Sequence, residues 1–164
     1  MLRIATIGTS MITDDFIQVV NANDQAVFVG TLSRDANRGA AFTAEHGGER
    51  NFTVLDELAS ADDVDAVYIG SPNALHHEQA LACIAGGKHV IVEKPFCATE
   101  AQALEVFRAA EAAGVVALEA MRPLHDPAFP AIEDALGEIA PIRRASLRFG
   151  KYSSRYNEIL AGRA

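Results

Sequence analysis

Positive charge, cysteine and long apolar runs are all scarce in this sequence, and each scarcity excludes a class of protein. Lysine and arginine total 14 against 22 aspartates and glutamates, which argues against a protein built to coat nucleic acid or an anionic membrane. Two cysteines, Cys83 and Cys97, are too few for a zinc ribbon or a disulfide framework and favour a reducing, cytoplasmic location. No apolar run approaches the roughly 18 residues of a membrane span, and the N-terminus lacks a signal-peptide pattern.

What is present indicates alternating strands and helices. Hydrophobic residues make up 49% of the 164-residue chain, enough to bury a core. Short β-rich runs predict strands at Leu2–Ile7, Ala26–Thr31, Ala66–Ile69, His89–Val92 and Val115–Leu118, and a shorter strand with a helical turn within Asn51–Ser60. Helical spacing between the runs predicts three buried stripes: Ile12, Phe16, Val19 and Val20; His77, Ala80, Leu81 and Ile84; and Leu104, Phe107 and Ala110. Such alternation predicts an α/β fold with a parallel sheet covered by helices on both faces.

The composition changes after about Glu119, where prolines begin to recur in a connector. A short helix over Ala131–Leu136 and a strand over Ile142–Phe149 are predicted beyond it. The last stretch, Lys151–Ala164, has no clear period, so no element is assigned to it.

The turn after the first strand matches part of the dinucleotide fingerprint G-x-G-x-x-G/A. Gly8 is kept, whereas Ser10 takes the place of the second glycine and the bulkier Thr13 that of the third. Ser10 is small, its hydroxyl can bond a phosphate oxygen, and the following helix N-terminus offers free N–H groups. An ordinary strand-to-helix turn is the alternative. The residues predicted to hold phosphate are Gly8, Thr9, Ser10, Met11 and Ile12.

The end of the second strand predicts which dinucleotide is preferred. Sites for NAD usually carry an acidic residue there, to bond the ribose hydroxyls. This sequence has Ser33 and Arg34 instead, and Asp35 is predicted to cap the next helix. Because a hydroxyl and a guanidinium suit a 2′-phosphate, with Arg38 one helical turn further on, the pattern favours NADP. A lack of strong preference, with Arg34 a solvated surface charge, is the alternative.

Two further loops follow parallel strands and lie at the same rim of the sheet as the Gly8 turn. Ser71-Pro72-Asn73 and His76 follow one strand, and Glu93-Lys94-Pro95 follow the next. Ligands bind at this rim in open α/β sheets. A lysine placed between an apolar strand and a proline is a rigidly presented cation that can polarise a hydroxyl or carbonyl oxygen.

Taken in order, these pieces resemble the glucose–fructose oxidoreductase, inositol dehydrogenase and rhizopine catabolism (Gfo/Idh/MocA) family. The similarity extends from about Arg3 to Phe149, and Glu93-Lys94-Pro95 is its most specific part. The segments that carry it are Gly8, Ser10 and Ile12; Ser33-Arg34-Asp35; Ser71-Pro72-Asn73 and His76; Glu93-Lys94-Pro95; and Glu119-Ala120-Met121-Arg122.

The resemblance implies a Rossmann domain, a doubly wound parallel sheet that binds NAD or NADP, over residues 1–120. Over residues 121–164 it implies a connector helix and the first strand of an incomplete α+β substrate domain. The implied reaction transfers a hydride between the nicotinamide and a hydroxyl or carbonyl of a sugar, cyclitol or similar small molecule, and family members often form oligomers. Lys94 is implied to be catalytic, near the nicotinamide and the reacting oxygen. The implied cofactor contacts beyond the glycine turn are Ser33, Arg34, Arg38, Ser71, Pro72, Asn73, His76, Glu93, Lys94, Pro95, Met121 and Arg122.

One part of the family pattern is missing. The acid–base histidine of the family lies in its substrate domain, and none of His46, His76, His77, His89 or His125 stands in that context. A dinucleotide-binding module or truncated fragment without catalysis is therefore the alternative function. A different Rossmann-like enzyme, such as a methyltransferase, is disfavoured by the Glu93-Lys94-Pro95 loop.

Metal and thiol chemistry are both disfavoured. His76 and His77 are adjacent, so they point in different directions on a helix, and no metal site is predicted. Cys83 falls on an apolar helix face and is predicted to be core. Cys97 is close enough to Lys94 in sequence for a lowered pKa, but with no general base evident it too is predicted to be an ordinary packed residue.

Overall fold

A computed structural model describes residues 1–139, 141–148, 150 and 156–162. The chain divides into two compact units, Met1–Arg122 (unit 1) and Pro123–Ala164 (unit 2).

Unit 1 alternates strands with helices. Its strands are β1 (Leu2–Ile7), β2 (Ala26–Leu32), β3 (Arg50–Phe52), β4 (Ala66–Ile69), β5 (His89–Val92) and β6 (Ala117–Glu119). Its helices are α1 (Met11–Asn21), α2 (Ala36–Glu45), α3 (Leu55–Ala59), α4 (His76–Ala85) and α5 (Glu100–Ala113). A 3-10 turn over Asn73–Leu75 precedes α4, and another over Arg122–His125 follows β6.

The strands form one six-stranded sheet in the order β3-β2-β1-β4-β5-β6, and every neighbouring pair is parallel. The chain winds outward from β1 in one direction and then from β4 in the other, so the order reverses between these two strands. This confirms the predicted doubly wound Rossmann fold, in which the crevice between β1 and β4 is the expected ligand position.

The middle of the sheet is the most deeply buried part of unit 1. All residues of β4 are buried, and the strand is a continuous apolar run in which the hydroxyl of Tyr68 is the one polar side-chain group. A strand covered by helices on both faces has no solvated face, which explains why the sequence there does not alternate. Four predicted strands, at β1, β2, β4 and β5, are confirmed within one residue.

Two of the predicted helix stripes are rotated about the helix axis, although Val20 and Ala110 are buried as predicted. In α1 the buried residues are Thr13, Ile17 and Val20, and Val19 is 68% exposed. In α5 they are Val106 and Ala110, whereas Leu104 and Phe107 are exposed. The buried face of each helix combines a large apolar residue, Ile17 or Val106, with a smaller one, Thr13 or Ala110, and the exposed large residues lie beside it.

In α4 the predicted stripe is partly right. Ala80 and Ile84 are buried, but His76 and Cys83 complete the buried face, and His77 and Leu81 are only half-buried.

The strand predicted over Val115–Leu118 begins later, as β6. Helix α5 ends at Ala113 with Gly114 as its C-cap residue, and the N–H of Val115 donates to the carbonyl of Ala110 at 3.0 Å. Val115 is therefore still part of the helix ending, and the strand starts at Ala117.

Unit 2 contains α6 (Ala128–Glu138) and α7 (Tyr156–Leu160). Helix α6 includes the predicted Ala131–Leu136 helix. The prediction of a strand over residues 142–149 is wrong for residues 142–148, which have no regular structure, and Phe149 lies outside the described residues. A strand needs a hydrogen-bonded neighbour, and no other strand occurs among the described residues of unit 2. No helix among the described residues is long and apolar enough to cross a membrane.

Candidate functional site

A cleft of about 610 Å³ opens at the carboxyl ends of β1, β2 and β4, at the point where the strand order reverses. Its volume lies within the range of small-molecule and cofactor sites. The lining residues are Ile7, Gly8, Thr9, Ser10, Leu32, Ser33, Arg34, Asp35, Arg38, Gly70, Ser71, Pro72, Leu75 and Gln79.

The floor of the cleft depends on two glycines that face each other. Gly8 has a φ of +103°, and a Cβ there would lie 2.9 Å from the carbonyl oxygen of Gly70. A Cβ on Gly70 would in turn lie 2.5 Å from Oγ1 of Thr13. Thr13 is fully buried and stands where the fingerprint has its third glycine. Gly70 therefore supplies the space that Thr13 takes up, and α1 can pack against the sheet.

The N-terminus of α1 presents backbone N–H groups that no side chain caps. Ser10 is the N-cap residue, but its hydroxyl lies 3.1 Å from Oγ1 of Thr13 and does not bond the first-turn amides. In α2 and α5, by contrast, Asp35 and Thr99 accept hydrogen bonds from first-turn N–H groups. The uncapped end of α1 carries the partial positive charge and free donors that an anion needs.

The tip of β2 brings two guanidinium groups to the cleft. Arg34 forms no hydrogen bond or ion pair with any residue that the structure describes. Arg38 donates from Nη2 to the carbonyl of Thr9 at 3.1 Å, which holds its side chain beside the glycine turn. Asp35 accepts from the backbone N–H of Arg38 at 3.0 Å, and this confirms its predicted role as the cap of α2. The acidic group nearest the arginines is therefore already engaged.

The loop after β4 is connected to the loop after β5 through His76. This side chain is fully buried, and its ring nitrogens lie 3.0 Å from the carbonyl oxygens of Ser71 and of Pro95. The sequence predicts that His76 contacts the cofactor. In the structure both ring nitrogens are engaged within the protein, and the residue does not line the cleft. A metal ion would have to displace these contacts, and the neighbouring His77 bonds Glu105 instead.

The loop after β5 is held by two carboxylates, the buried Glu93 and the half-buried Glu119. Tyr68 donates to Oε1 of Glu93 at 2.7 Å, and Oε2 of Glu93 accepts from the N–H of Lys94 at 3.1 Å. Glu119 accepts from the N–H of Phe96 at 2.8 Å. Burial and then the bond to Glu93 raise the pKa of Tyr68, which keeps its hydroxyl protonated as the donor.

Lys94 itself is left free by these contacts. Its side chain is exposed, and its ammonium group has no hydrogen-bond partner among the described residues. The Lys94–Pro95 peptide bond is cis. The loop therefore fixes the backbone of Lys94 while its charge remains available at the rim of the sheet.

The cleft includes about half of the residues predicted to contact a cofactor. Those that line it are Gly8, Thr9, Ser10, Ser33, Arg34, Arg38, Ser71 and Pro72. Those that lie outside it are Met11, Ile12, Asn73, His76, Glu93, Lys94, Pro95, Met121 and Arg122. For Met11 and Ile12 the prediction concerned backbone N–H groups, which belong to the uncapped turn of α1. Arg122 is exposed and lies 3.8 Å from Asp15.

Sequence reasoning missed several lining residues, of which Gln79 is the one with an uncharged polar side chain. It lies four positions into α4 and receives a hydrogen bond from the hydroxyl of Ser71 at 2.6 Å. Helical spacing from Leu75 would place it on the cleft side, but a glutamine on an amphipathic helix gives no signal by itself. The other missed lining residues are Ile7, Leu32, Asp35, Gly70 and Leu75.

The two cysteines are free thiols with raised pKa values. Burial raises the pKa of Cys83 to about 12, in agreement with its predicted core position. Burial, and to a smaller extent the charge of Glu119, raises the pKa of Cys97. The possibility of a lowered pKa at Cys97 is therefore wrong, and it remains a packed residue.

These features fit a bound dinucleotide. At the glycine turn the lack of a Cβ lets phosphates come close to the backbone, and α1 offers unengaged N–H groups there. The two arginines beside the β2 tip supply positive charge. When bound, the dinucleotide would be held by the turn after β1 and by Ser33, Arg34 and Arg38, which follow β2.

Comparison with known proteins agrees with the geometry. Residues 2–120 match the family described as "Oxidoreductase family, NAD-binding Rossmann fold" (GFO_IDH_MocA). The chain is 41% identical over 162 residues to scyllo-inositol 2-dehydrogenase (NADP(+)) IolU of Bacillus subtilis (strain 168), covering 99% of this chain and 49% of that protein. It is 40% identical over 139 residues to 1,5-anhydro-D-fructose reductase of Ensifer adhaerens, covering 84% and 41%.

A solved structure extends the similarity to three dimensions. The 3-ketoreductase KijD10 of Actinomadura kijaniata, in complex with TDP-benzene and NADP, superposes with a TM-score of 0.78 at 32% identity. The match covers 84% of this chain and 43% of that one. The chain thus spans about half the length of the curated relatives it matches. It belongs to the Gfo/Idh/MocA family of oxidoreductases, and unit 1 is the NAD(P)-binding Rossmann domain of that family.

Proposed function

We propose that this chain is the cofactor-binding half of an NADP-dependent dehydrogenase that acts on a sugar, cyclitol or similar small molecule. The observation that carries the proposal is the pair of arginines beside the β2 tip, where Asp35, the acidic residue among those that line the cleft, caps α2. A 2′-phosphate would meet two guanidinium groups and the hydroxyl of Ser33 there. The names of similar proteins support this choice, since IolU is an NADP(+) enzyme and KijD10 is a ketoreductase solved with NADP.

In this proposal each predicted site residue has a role. The backbone of the turn from Gly8 to Ile12 binds the pyrophosphate, and Ser33, Arg34 and Arg38 bind the adenosine ribose and its 2′-phosphate. The residues assigned to the nicotinamide side of the site are Ser71, Pro72, Asn73, His76, Glu93, Pro95, Met121 and Arg122, of which His76 and Glu93 act by holding the loops.

The catalytic role is assigned to Lys94. When bound, the cofactor supplies the nicotinamide that accepts a hydride from the alcohol carbon or returns it to the carbonyl. The exposed ammonium group of Lys94 would donate a hydrogen bond to the reacting oxygen and stabilise the negative charge that develops there as its proton leaves. The Glu93 carboxylate accepts from the backbone N–H of Lys94, which fixes the backbone there and leaves the ammonium group unpaired within the described ranges of the chain.

The second candidate function is a dinucleotide-binding module without catalysis. It is favoured by the histidines of unit 1, each of which is engaged away from Lys94. His46 bonds Asp14, His76 bonds two loop carbonyls, His77 bonds Glu105, and His89 accepts from the N–H of Val116. Among the described residues of unit 1, every imidazole already has a hydrogen-bond partner, so none is left free to act as the acid–base group.

The setting of the protein is part of the same proposal. A reducing, cytoplasmic location is supported by the two free thiols. A small molecule is the expected substrate, and a homo-oligomer is expected from the family resemblance. Nucleic acid and membranes are not expected partners, because the net charge is −8.

The test is a titration with NADPH and NADH, following the emission of the reduced nicotinamide. We expect NADPH to bind at least about ten-fold more tightly, and Arg34→Gln to weaken NADPH about ten-fold while leaving NADH nearly unchanged. Arg108→Gln, an exposed arginine on α5, is the matched control. Failure of both nucleotides to bind would contradict the proposed function.

Turnover then separates the two candidates. We expect a form of the protein that also carries a substrate domain to oxidise a member of a sugar and cyclitol panel with NADP⁺, and Lys94→Met to remove that turnover while leaving NADPH binding within two-fold of the original. The 164-residue chain alone is expected to bind NADPH but to be inactive. Binding by the two-domain form without turnover on any member of the panel would favour the non-catalytic module.

A further inference from the structure

We propose that Gln79 is a cofactor-binding residue whose side-chain amide donates to the nicotinamide half of the dinucleotide. This inference rests on the proposed function of the cleft and adds a residue to it. Gln79 lies on α4 and lines the cleft together with Ser71 and Leu75. It belongs neither to the fingerprint turn nor to any of the segments that carry the family resemblance.

The orientation of the amide is set by its neighbour. The hydroxyl of Ser71 donates to Oε1 of Gln79 at 2.6 Å, so the carbonyl end of the amide is engaged. The opposite end is an NH₂ group, which has two donors and forms no hydrogen bond within the described part of the chain. The unengaged donors therefore remain available on the cleft side of α4.

The position of Gln79 along the sheet decides which half of the ligand it meets. The strand order places β2 and β4 on opposite sides of β1, and the glycine turn follows β1. With the pyrophosphate on that turn and the 2′-phosphate beside Arg34 after β2, the rest of the dinucleotide extends toward the loop and helix that follow β4. The ribose and phosphate oxygens of the nicotinamide half are acceptors that match the free NH₂ of Gln79.

The chemistry also explains why a glutamine suits the position better than its acid. A carboxylate at residue 79 would still accept the hydrogen bond from Ser71, but it would have no donor for the ligand. It would also place a negative charge beside an anionic cofactor. Gln79→Glu therefore preserves shape and the internal contact while removing the proposed one.

The experiment compares two ligands on the full chain. NADPH carries both halves of the dinucleotide, whereas adenosine 2′,5′-bisphosphate carries the 2′-phosphate but no nicotinamide half. We expect Gln79→Glu to raise the Kd for NADPH about ten-fold and Gln79→Leu about five-fold. Both variants should bind adenosine 2′,5′-bisphosphate within two-fold of the original protein. Glu78→Gln, one residue earlier on the exposed side of α4, is the matched control and should leave both affinities unchanged.

The outcomes distinguish a failure of this inference from a failure of the proposed function on which it rests. If the original chain binds NADPH but Gln79→Glu binds it within two-fold as tightly, Gln79 is not a cofactor contact. If both ligands weaken equally in the variants, residue 79 acts on the shape of the whole cleft and the inference is wrong. If the original chain binds neither ligand, the proposed function itself fails, and that result does not depend on residue 79.

Discussion

The two sides of the cleft differ in what their polar side chains contact. On the side after β2, which we call the open side (Ser33, Arg34 and Arg38), Arg34 has no partner among the described residues, and the guanidinium of Arg38 contacts one backbone carbonyl. On the side after β4 and β5, which we call the braced side (residues 70–76 and 93–97), His76 and Glu93 bond other parts of the protein. On the open side Arg34 and most of the Arg38 donors remain available to a ligand, while the Ser33 hydroxyl accepts from the N–H of Asp35 at 3.3 Å. The polar residues of the braced side mostly hold loops in place.

This difference suggests a division of labour within one site. The open side meets a phosphate, which charged and flexible side chains can follow. The braced side must present Lys94, and in a Gfo/Idh/MocA dehydrogenase as proposed here small errors in that position would slow hydride transfer. The predictions below test whether the braced side is as rigidly connected as its contacts indicate.

The largest effect is expected at His76. We expect His76→Leu to lower the free energy of unfolding by about 3 kcal/mol, because it removes a fully buried imidazole whose ring nitrogens lie 3.0 Å from the carbonyl oxygens of Ser71 and Pro95. His77→Leu is the matched control: it loses only an exposed contact with Glu105, and we expect a change below about 0.5 kcal/mol. Urea denaturation of both variants measures the difference, and equal effects would show that His76 does not connect the two loops.

A smaller effect is expected where the braced side meets α1. We expect Gly70→Ala to cost about 2 kcal/mol, because the new Cβ lies 2.5 Å from Oγ1 of Thr13. In the double variant Gly70→Ala with Thr13→Ala, the obstructing atom is absent, and more than half of that loss should be recovered. Denaturation of the two single variants and the double variant provides the measurement. If the two losses simply add, the threonine is not what requires a glycine at residue 70.

How much of this arrangement could be predicted from sequence differs between the two sides. On the open side, residue type was sufficient, because Ser33, Arg34 and Arg38 reach the cleft from a strand tip and a first helical turn. On the braced side the segments were found, but the direction of their side chains was not, since the burial of His76 depends on Ser71 and on Pro95. Contacts between loops distant in sequence leave no local pattern.

The same reason explains the errors in the fold. The strands of the sheet were predicted well because buried parallel strands are apolar throughout. The stripes of α1 and α5 were misplaced because two apolar faces compete in each helix, and periodicity alone does not choose Ile17 over Val19 or Val106 over Phe107. Thr13 was also missed, because a hydroxyl-bearing residue adds little to an apolar stripe. Gln79 was missed because its role depends on a hydrogen bond from Ser71.

A double-mutant cycle tests the carboxylate that supports Lys94. We expect Tyr68→Phe to cost about 1.5 kcal/mol, because it removes the donor to Glu93 and retains the ring that stacks on Phe16. Combined with Glu93→Gln, the two losses should fall short of additivity by about 1 kcal/mol, the range found for residues in direct contact. The cycle is measured by chemical denaturation. Strict additivity would mean that the 2.7 Å contact contributes nothing to the stability of the loop.

The smallest effect is expected beneath the open side, where His46 at the end of α2 bonds Asp14 on α1. Burial alone lowers the pKa of His46, but the bonds to Asp14 and to the Phe42 carbonyl outweigh it, and the net pKa is raised above 6.5. The bond from His46 and then that from Gln18 lower the pKa of Asp14 below 3.8.

A raised histidine pKa stabilises the fold when the group is protonated. The contribution of His46 is therefore complete below about pH 6.5 and is lost as the pH rises through its folded-state pKa. The contribution of Asp14 is present above about pH 3.8 and is lost as the pH falls below that value. Between these limits we expect Asp14→Asn to lower the melting temperature by roughly 2 °C, and by less at pH 9. Melting curves across this pH range provide the measurement, with Asp24→Asn, at an exposed turn, as the control. An equal loss at pH 5 and pH 9 would show that the pair acts without its charges, and that α1 and α2 are joined beneath the open side by packing alone.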